Sequence, residues 1–163
     1  MFIMGVANPK GEGTAYNGLY LKDEELNALV KNRKLLNLPV KTEHVGQPIG
    51  NIVSAYMNQQ GQLQCVMELD QKCAPASVVS GFIRDGLALE LSLGYAVDVA
   101  HSANSASRLK AGEKNVLEVS VVKKGARNGC YIMAYEENGR TFVNQHASID
   151  VGSASDWSSF CNM

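Results

Sequence analysis

Two segments, residues 88–95 and 116–122, alternate apolar and polar side chains with a period of two, and they constrain the fold more than any other feature. Because successive side chains of a β-strand point to opposite faces, each segment is predicted to be a strand with one apolar face. The apolar faces carry Leu89, Leu91, Leu93, Tyr95, Leu117, Val119 and Val121, and the opposite faces carry Glu90, Ser92, Glu118 and Ser120. Such polar residues commonly face solvent in antiparallel strands, and where they are buried they need a partner.

Further strands and two helices are predicted along the rest of the chain. Apolar or alternating runs bounded by turn residues predict strands at 2–7, 49–57, 63–69 and 130–135. Apolar residues at three-to-four spacing predict helices at 23–34 and from Pro75 to a stop at Gly86. Leu38-Pro39 begins an extended segment, because a residue before proline disfavours the helical region. This non-alternating order favours an α+β or mostly-β class, with a barrel or sandwich rather than a parallel sheet.

The composition indicates one domain and excludes several classes of protein. With 163 residues, 45% hydrophobic and 19% charged, the chain is long enough for a packed core. A net charge of -1 without long like-charge runs predicts no nucleic-acid partner, and the apolar stretches are too short to predict a membrane span. Four cysteines without a Cys-x-x-Cys pair and three scattered histidines predict no metal site. With no charged-then-apolar leader, an intracellular protein with reduced thiols and no cofactor is expected.

Three segments carry candidate catalytic residues in the order histidine, serine, acid. In the first, residues 38–53, a Leu-Pro pair precedes His44, and a glycine and a valine-containing strand follow. The second is the Leu-Ser-Leu-Gly run around Ser92. The third is the Leu-Glu-Val-Ser-Val-Val run that contains Glu118, followed by Gly-Ala-Arg-Asn-Gly at 125–129.

These segments resemble motifs of known viral proteases. The first resembles the histidine motif of the herpesvirus capsid maturation proteases, the assemblins. The second resembles the nucleophile strand of those enzymes and, more closely, of the tailed-phage prohead proteases that share their fold. The third is similar to the phage Glu-Val-Ser strand joined to a herpesvirus-type Gly-Arg-rich oxyanion loop. The order and spacing match the family over residues 2–135.

The resemblance implies an α+β, mostly-β fold, namely an antiparallel β-barrel flanked by a few helices. It implies a viral serine endopeptidase that cleaves scaffold protein and itself during capsid, or prohead, maturation. The protease domain would span 1–147, followed by a flexible or released tail at 148–163, with autocleavage between Ala147 and Ser148. Expected partners are the scaffold protein as substrate and the capsid shell proteins, and a homodimer is allowed. The protein would act inside the procapsid of an infected host cell, in the nucleus if the virus is herpesvirus-like.

The resemblance also assigns roles to individual residues. Ser92 would be the nucleophile and His44 the general base that takes its proton. Glu118 would be the third triad member, holding the histidine tautomer and stabilising the imidazolium. The backbone N–H of Ala126 and the guanidinium of Arg127, directly or through a water, would stabilise the oxyanion.

Several alternatives stay open from the sequence. Herpesvirus enzymes use a second histidine where the alignment places Glu118, as in the phage branch, and another register would place Asn115 there. Arg127 could instead form an ordinary surface ion pair. Competing bases or nucleophiles are His101, in a segment expected to be a mobile loop, and His146, Cys65 and Cys130. The function could also be that of a catalytically inert capsid-assembly or scaffold-binding protein with the same fold, or of a small ligand-binding barrel.

Overall fold

The computed structural model describes residues 1–10, 20–97 and 114–144. These residues form eight strands and two helices. The strands are β1 (Phe2–Asn8), β2 (Pro39–Thr42), β3 (Val45–Met57), β4 (Leu63–Leu69), β5 (Glu90–Val97), β6 (Lys114–Val122), β7 (Ile132–Glu137) and β8 (Arg140–Val143). The helices are α1 (Asp23–Lys31) and α2 (Ala74–Arg84). Neither helix is long and apolar enough to cross a membrane.

The eight strands form one mixed sheet in the order β5-β6-β2-β3-β4-β1-β7-β8. All neighbouring strands are antiparallel except β2 and β6, which pair in parallel with Val40 opposite Val119. This parallel pair brings the start of β3 close to β5 and β6, although these strands are distant in the chain. The mostly-β class with two helices is therefore confirmed for the described residues.

The sheet is not a closed antiparallel barrel, so that prediction is wrong in two respects. One pair of strands is parallel, and among the described residues β5 joins the other side of the sheet only through an isolated bridge between Glu90 and Tyr131, the residue before β7. In the register of this bridge, the residues of β5 after Glu90 lie opposite the segment that precedes β7, and β7 itself pairs with β1 and β8. The sequence interpretation missed β8, yet it follows an Asn138-Gly139 turn with positive φ at both positions, which is a strong hairpin signal.

Both helices begin where the sequence signals place them. The N–H of Lys22, just before α1, donates to Glu25 Oε2 at 2.9 Å, and acidic residues fill the first turn at the positive end of the helix dipole. α1 ends at Lys31, before the predicted residue 34, and the chain then turns through Arg33 with φ of 55°. α2 is followed by Gly86 with φ of +82°, as predicted.

Strands β5 and β6 have buried residues on both faces. Leu91 and Val119 lie in the hydrophobic core, and the polar Ser92, Glu118 and Ser120 are buried as well. The interpretation that these three polar residues face solvent is therefore wrong.

A β-bulge interrupts the pairing of β5 with β6. Gly94 pairs with Glu118, whereas Tyr95 pairs with Val116, so Leu117 has no partner residue on β5. Leu117 is 54% exposed instead of sharing the core face of Val119, as simple alternation predicted. The bulge thus changes the direction of the side chains at the position where Glu118 meets β5.

Candidate active site

His44 lies in the tight turn between β2 and β3. Thr42 pairs with Val45, which leaves Glu43 and His44 as the two turn residues, with φ of 48° and 62°. Positive φ at both central positions is what a type I′ hairpin requires, and it is costly for non-glycine residues. The N–H of Glu43 donates to the carbonyl of Val121 at 3.2 Å, which fastens the turn to β6.

Ser92 and Glu118 reach the same place from the neighbouring strands β5 and β6. His44 Nε2 lies 3.0 Å from Ser92 Oγ, and His44 Nδ1 is hydrogen-bonded to Glu118 Oε1. Ser92 and the Glu118 carboxylate are buried, whereas the His44 side chain is 41% exposed. The structure therefore brings the three predicted triad residues into one hydrogen-bonded line.

Ser120 is a fourth member of this network, to which the sequence analysis assigned no role. Its hydroxyl donates to Glu118 Oε2 at 2.8 Å and accepts the N–H of His44 at 2.9 Å. Both oxygens of the Glu118 carboxylate are therefore engaged, one by His44 and one by Ser120. The signal in the sequence was a second polar residue two positions after Glu118 on the same strand.

The pKa of His44 is raised above its ordinary value. The hydrogen bond that the His44 ring donates to Glu118 is the largest cause, and the charges of Glu118 and Glu43 act in the same direction, whereas partial burial opposes them. A buried carboxylate beside the imidazole favours its protonated form. This is the electrostatic environment that a base needs if it is to hold a proton during a reaction.

Gly94 makes room for the Glu118 carboxylate. A Cβ atom built on Gly94 would overlap Glu118 Oε1 and would lie 2.7 Å from Glu118 Cδ. With the Glu118 carboxylate in its observed position, only a residue without a side chain fits opposite it at this point of the β5–β6 pair.

The segment 123–129 lies beside Ser92 and contacts β5. The N–H of Gly125 donates to Glu90 Oε2 at 2.6 Å, and Arg127 Nη2 donates to the Tyr95 hydroxyl at 3.0 Å. Arg127 is 4% exposed, so its interpretation as a surface ion-pair residue is wrong. The predicted oxyanion residues Ala126 and Arg127 line the same cleft as Ser92.

This cleft has a volume of about 530 Å³ and is open to solvent. It contains the three predicted triad residues, two basic side chains and several apolar ones. Its lining consists of Pro39, Lys41, His44, Ser92, Leu93, Gly94, Tyr95, Leu117, Glu118, Ala126 and Arg127.

Among the described residues, the competing candidates Asn115, Cys65 and Cys130 do not line this cleft. Asn115 lines a separate pocket beside α1, so the register that would place it against His44 is not the one the chain adopts. Cys65 and Cys130 are buried, and burial raises the pKa of each thiol to about 12, which keeps both protonated at neutral pH. Outside the described residues lie His101, His146, Ala147, Ser148 and the remainder of the 148–163 tail.

Comparison with known proteins supports the fold. No protein-family model matches the chain, and no curated protein sequence does. A solved structure of KSHV protease in complex with a hexapeptide phosphonate inhibitor is similar, with a TM-score of 0.55 over 99% of this chain and 75% of that chain. The two sequences are 13% identical, so the similarity establishes the fold alone. The chain has the fold of a herpesvirus protease, and its link to the phage prohead proteases stays a prediction.

Proposed function

We propose that the chain is a serine endopeptidase in which Ser92, His44 and Glu118 act as the catalytic triad. The hydrogen-bonded line from Ser92 Oγ through the two ring nitrogens of His44 to Glu118 carries this proposal. A buried serine hydroxyl, a base at hydrogen-bond distance and a carboxylate on the far nitrogen are the parts that activate serine in unrelated hydrolases. The similarity of the fold to a viral protease supports peptide bonds as the substrate class.

The chemistry follows from the arrangement of these atoms. Ser92 Oγ attacks the scissile carbonyl carbon while its proton passes to His44 Nε2, and Glu118 stabilises the resulting imidazolium. His44 then gives the proton to the leaving amine nitrogen, and the C–N bond breaks to leave an acyl-enzyme. Water, deprotonated by the same histidine, releases the acyl group and regenerates Ser92.

The negative charge that forms on the carbonyl oxygen needs fixed donors. Ala126 and Arg127 lie in the wall of the cleft beside Ser92, and we assign the Ala126 N–H and the Arg127 guanidinium to this role. Arg127 is buried, so its charge acts through a medium that screens it less than bulk water does.

We further propose that the enzyme cleaves capsid scaffold protein and itself during the maturation of a virus particle, inside the procapsid. The sequence resemblance to assemblins and prohead proteases supports this, together with the viral origin of the similar structure. The scaffold protein would be the substrate, capsid shell proteins would surround the enzyme, and the bond between Ala147 and Ser148 would be the site of self-cleavage.

A fluorophosphonate probe tests the serine mechanism directly. Wild-type protein should take up one probe molecule, located on Ser92 by peptide mass spectrometry, and Ser92→Ala should take up none. His44→Ala should label far more slowly, since triad members act as a unit. Ser54→Ala, which removes a hydroxyl from an exposed position of β3, is the matched control and should label like wild type. A wild-type chain that stays unlabelled, or that is labelled on a cysteine, contradicts the proposal.

Intact-mass measurement after prolonged incubation tests self-cleavage separately. Active protein should slowly lose residues 148–163, whereas the Ser92→Ala protein should keep the full mass of 17.6 kDa. If both proteins keep that mass, the Ala147–Ser148 bond is not a release site.

A further inference from the structure

Strand β5 holds the proposed oxyanion segment at two points that flank Ser92. Two residues before Ser92, the Glu90 carboxylate accepts the Gly125 N–H at 2.6 Å. Three residues after it, the Tyr95 hydroxyl accepts from Arg127 Nη2 at 3.0 Å. The Ala126 N–H thus lies between two anchored residues, one position from each.

The contact at Gly125 is too close for a side chain. A Cβ built there would lie 2.7 Å from the carbonyl oxygen of Leu91 and 3.1 Å from Glu90 Oε2. The neighbour at 2.7 Å is backbone, which cannot move aside as a flexible side chain could. The segment is therefore packed directly against the peptide that precedes Ser92, and Glu90 fixes its position along the strand.

Glu90 contacts the proposed oxyanion segment without lining the cleft. It does not appear among the cleft-lining residues of the described chain, and its strand neighbours Leu89 and Leu91 are buried in the core. A carboxylate in such a position loses part of its hydration, and a short hydrogen bond from a backbone N–H offsets that loss. The hydrogen bond that Glu90 accepts from the Gly125 N–H connects it to the site.

We propose that Glu90 and Tyr95 are positioning residues that hold the Ala126 N–H and the Arg127 guanidinium at the correct distance from Ser92. This inference rests on the proposed serine hydrolase function. Neither residue exchanges a proton with the substrate. Their effect is on the rate of the covalent step, because oxyanion donors act only when they are already in place.

The test measures the kinetics with which the fluorophosphonate probe labels the full chain. These kinetics give a rate constant for the covalent step, kinact, and an apparent binding constant, KI. The rates are corrected for the fraction of protein that is finally labelled. Glu90→Ala should lower kinact by about tenfold, a fraction of the 10²–10³ that removal of a whole donor costs. KI should change by less than about twofold, since Glu90 does not line the cleft. Glu90→Gln, which retains an acceptor oxygen, should recover part of the loss, and Tyr95→Phe should lower kinact severalfold.

Two further readouts distinguish positioning from a damaged fold. The pH dependence of kinact/KI should be unchanged in Glu90→Ala, because His44 and Glu118 are untouched, and hydrogen exchange of the Gly125 amide should become faster. Glu68→Ala, an exposed carboxylate on β4, is the matched control and should behave as wild type. If wild type is labelled and Glu90→Ala has the same kinact, the positioning role is refuted while the proposed function stands. A wild type that is never labelled refutes the proposed function, and this inference with it.

Discussion

Substitution of Gly94 by alanine adds one methyl group opposite the Glu118 carboxylate and changes nothing else in the triad. Gly94 pairs with Glu118 across the bulged part of β5 and β6. The new Cβ would overlap Glu118 Oε1, which is the atom that bonds His44. Since the end of the Glu118 side chain can move, we expect the fold to survive while the carboxylate leaves its place.

The size of the effect follows from the contact distances. The added Cβ would lie 2.7 Å from Glu118 Cδ, whereas unstrained carbon atoms lie about 3.5–4.0 Å apart. The carboxylate must therefore shift by about 1 Å, and a misplacement of that size costs roughly 10²-fold in rate. This is less than the loss of about 10⁴ expected when the orienting carboxylate is removed altogether.

The rate of fluorophosphonate labelling at Ser92 measures this loss, and thermal unfolding reports on the fold. Gly81→Ala is the matched control, because a Cβ at this position of α2 meets nothing within 4 Å and alanine favours the helix. We expect Gly81→Ala to label at the wild-type rate and Gly94→Ala to label about 10² times more slowly. If Gly94→Ala labels at the wild-type rate, Glu118 does not need the space that Gly94 leaves, and the reasoning is refuted.

Three further outcomes are expected. Glu118→Gln should lower the labelling rate by about 10⁴, whereas Asn115→Ala should leave it within about twofold, and the reverse ranking would support the other register. His44 must be neutral to accept a proton, and Glu118 is the chief cause of its raised pKa, so activity should fall as the pH drops through that raised pKa. Glu118→Gln should move this acidic limb of the pH–rate profile to lower pH. An acidic limb that does not move would contradict the pairing of His44 with Glu118. Ser120→Ala should lower the free energy of unfolding by about 1–3 kcal/mol in denaturant titration, because the His44 N–H loses its buried acceptor, and should slow labelling; Ser54→Ala should do neither. Equal stability of the two serine variants would show that the Ser120 hydroxyl has no such role.

Local pattern was enough to locate most of the strands and both helices, because period-two and three-to-four spacing are properties of short segments. Local pattern did not predict how the strands at the edges of the sheet are paired. Among the described residues, β5 meets the other side of the sheet only at the Glu90–Tyr131 bridge, and β7 pairs with β8, a four-residue strand that was not predicted. The position of Leu117 likewise depends on the register between two strands, which one strand's alternation does not contain.

The same limit applies to the candidate site. The residues that flank each motif singled out His44, Ser92 and Glu118, and the structure brings these three side chains together. Alternation on its own favoured a solvated polar face for β6, because nothing within that strand shows that a turn 76 residues earlier in the chain covers Ser120. Ser120 was visible as a polar strand residue, but its two hydrogen bonds arise only from tertiary packing.

The parallel pairing of β2 with β6 has a consequence for folding during synthesis on the ribosome. His44 is 48 residues from Ser92 and 74 from Glu118, so both side-chain contacts of the histidine span long stretches of chain. The turn that carries His44 and the strand that carries Ser92 are synthesised before β6. At a synthesis rate of about 5–20 residues per second, β6 follows several seconds later. A nascent chain carries the nucleophile and the base without the carboxylate that joins them. If the chain is the serine hydrolase proposed above, it would become active only with the step that adds β6 and completes the sheet.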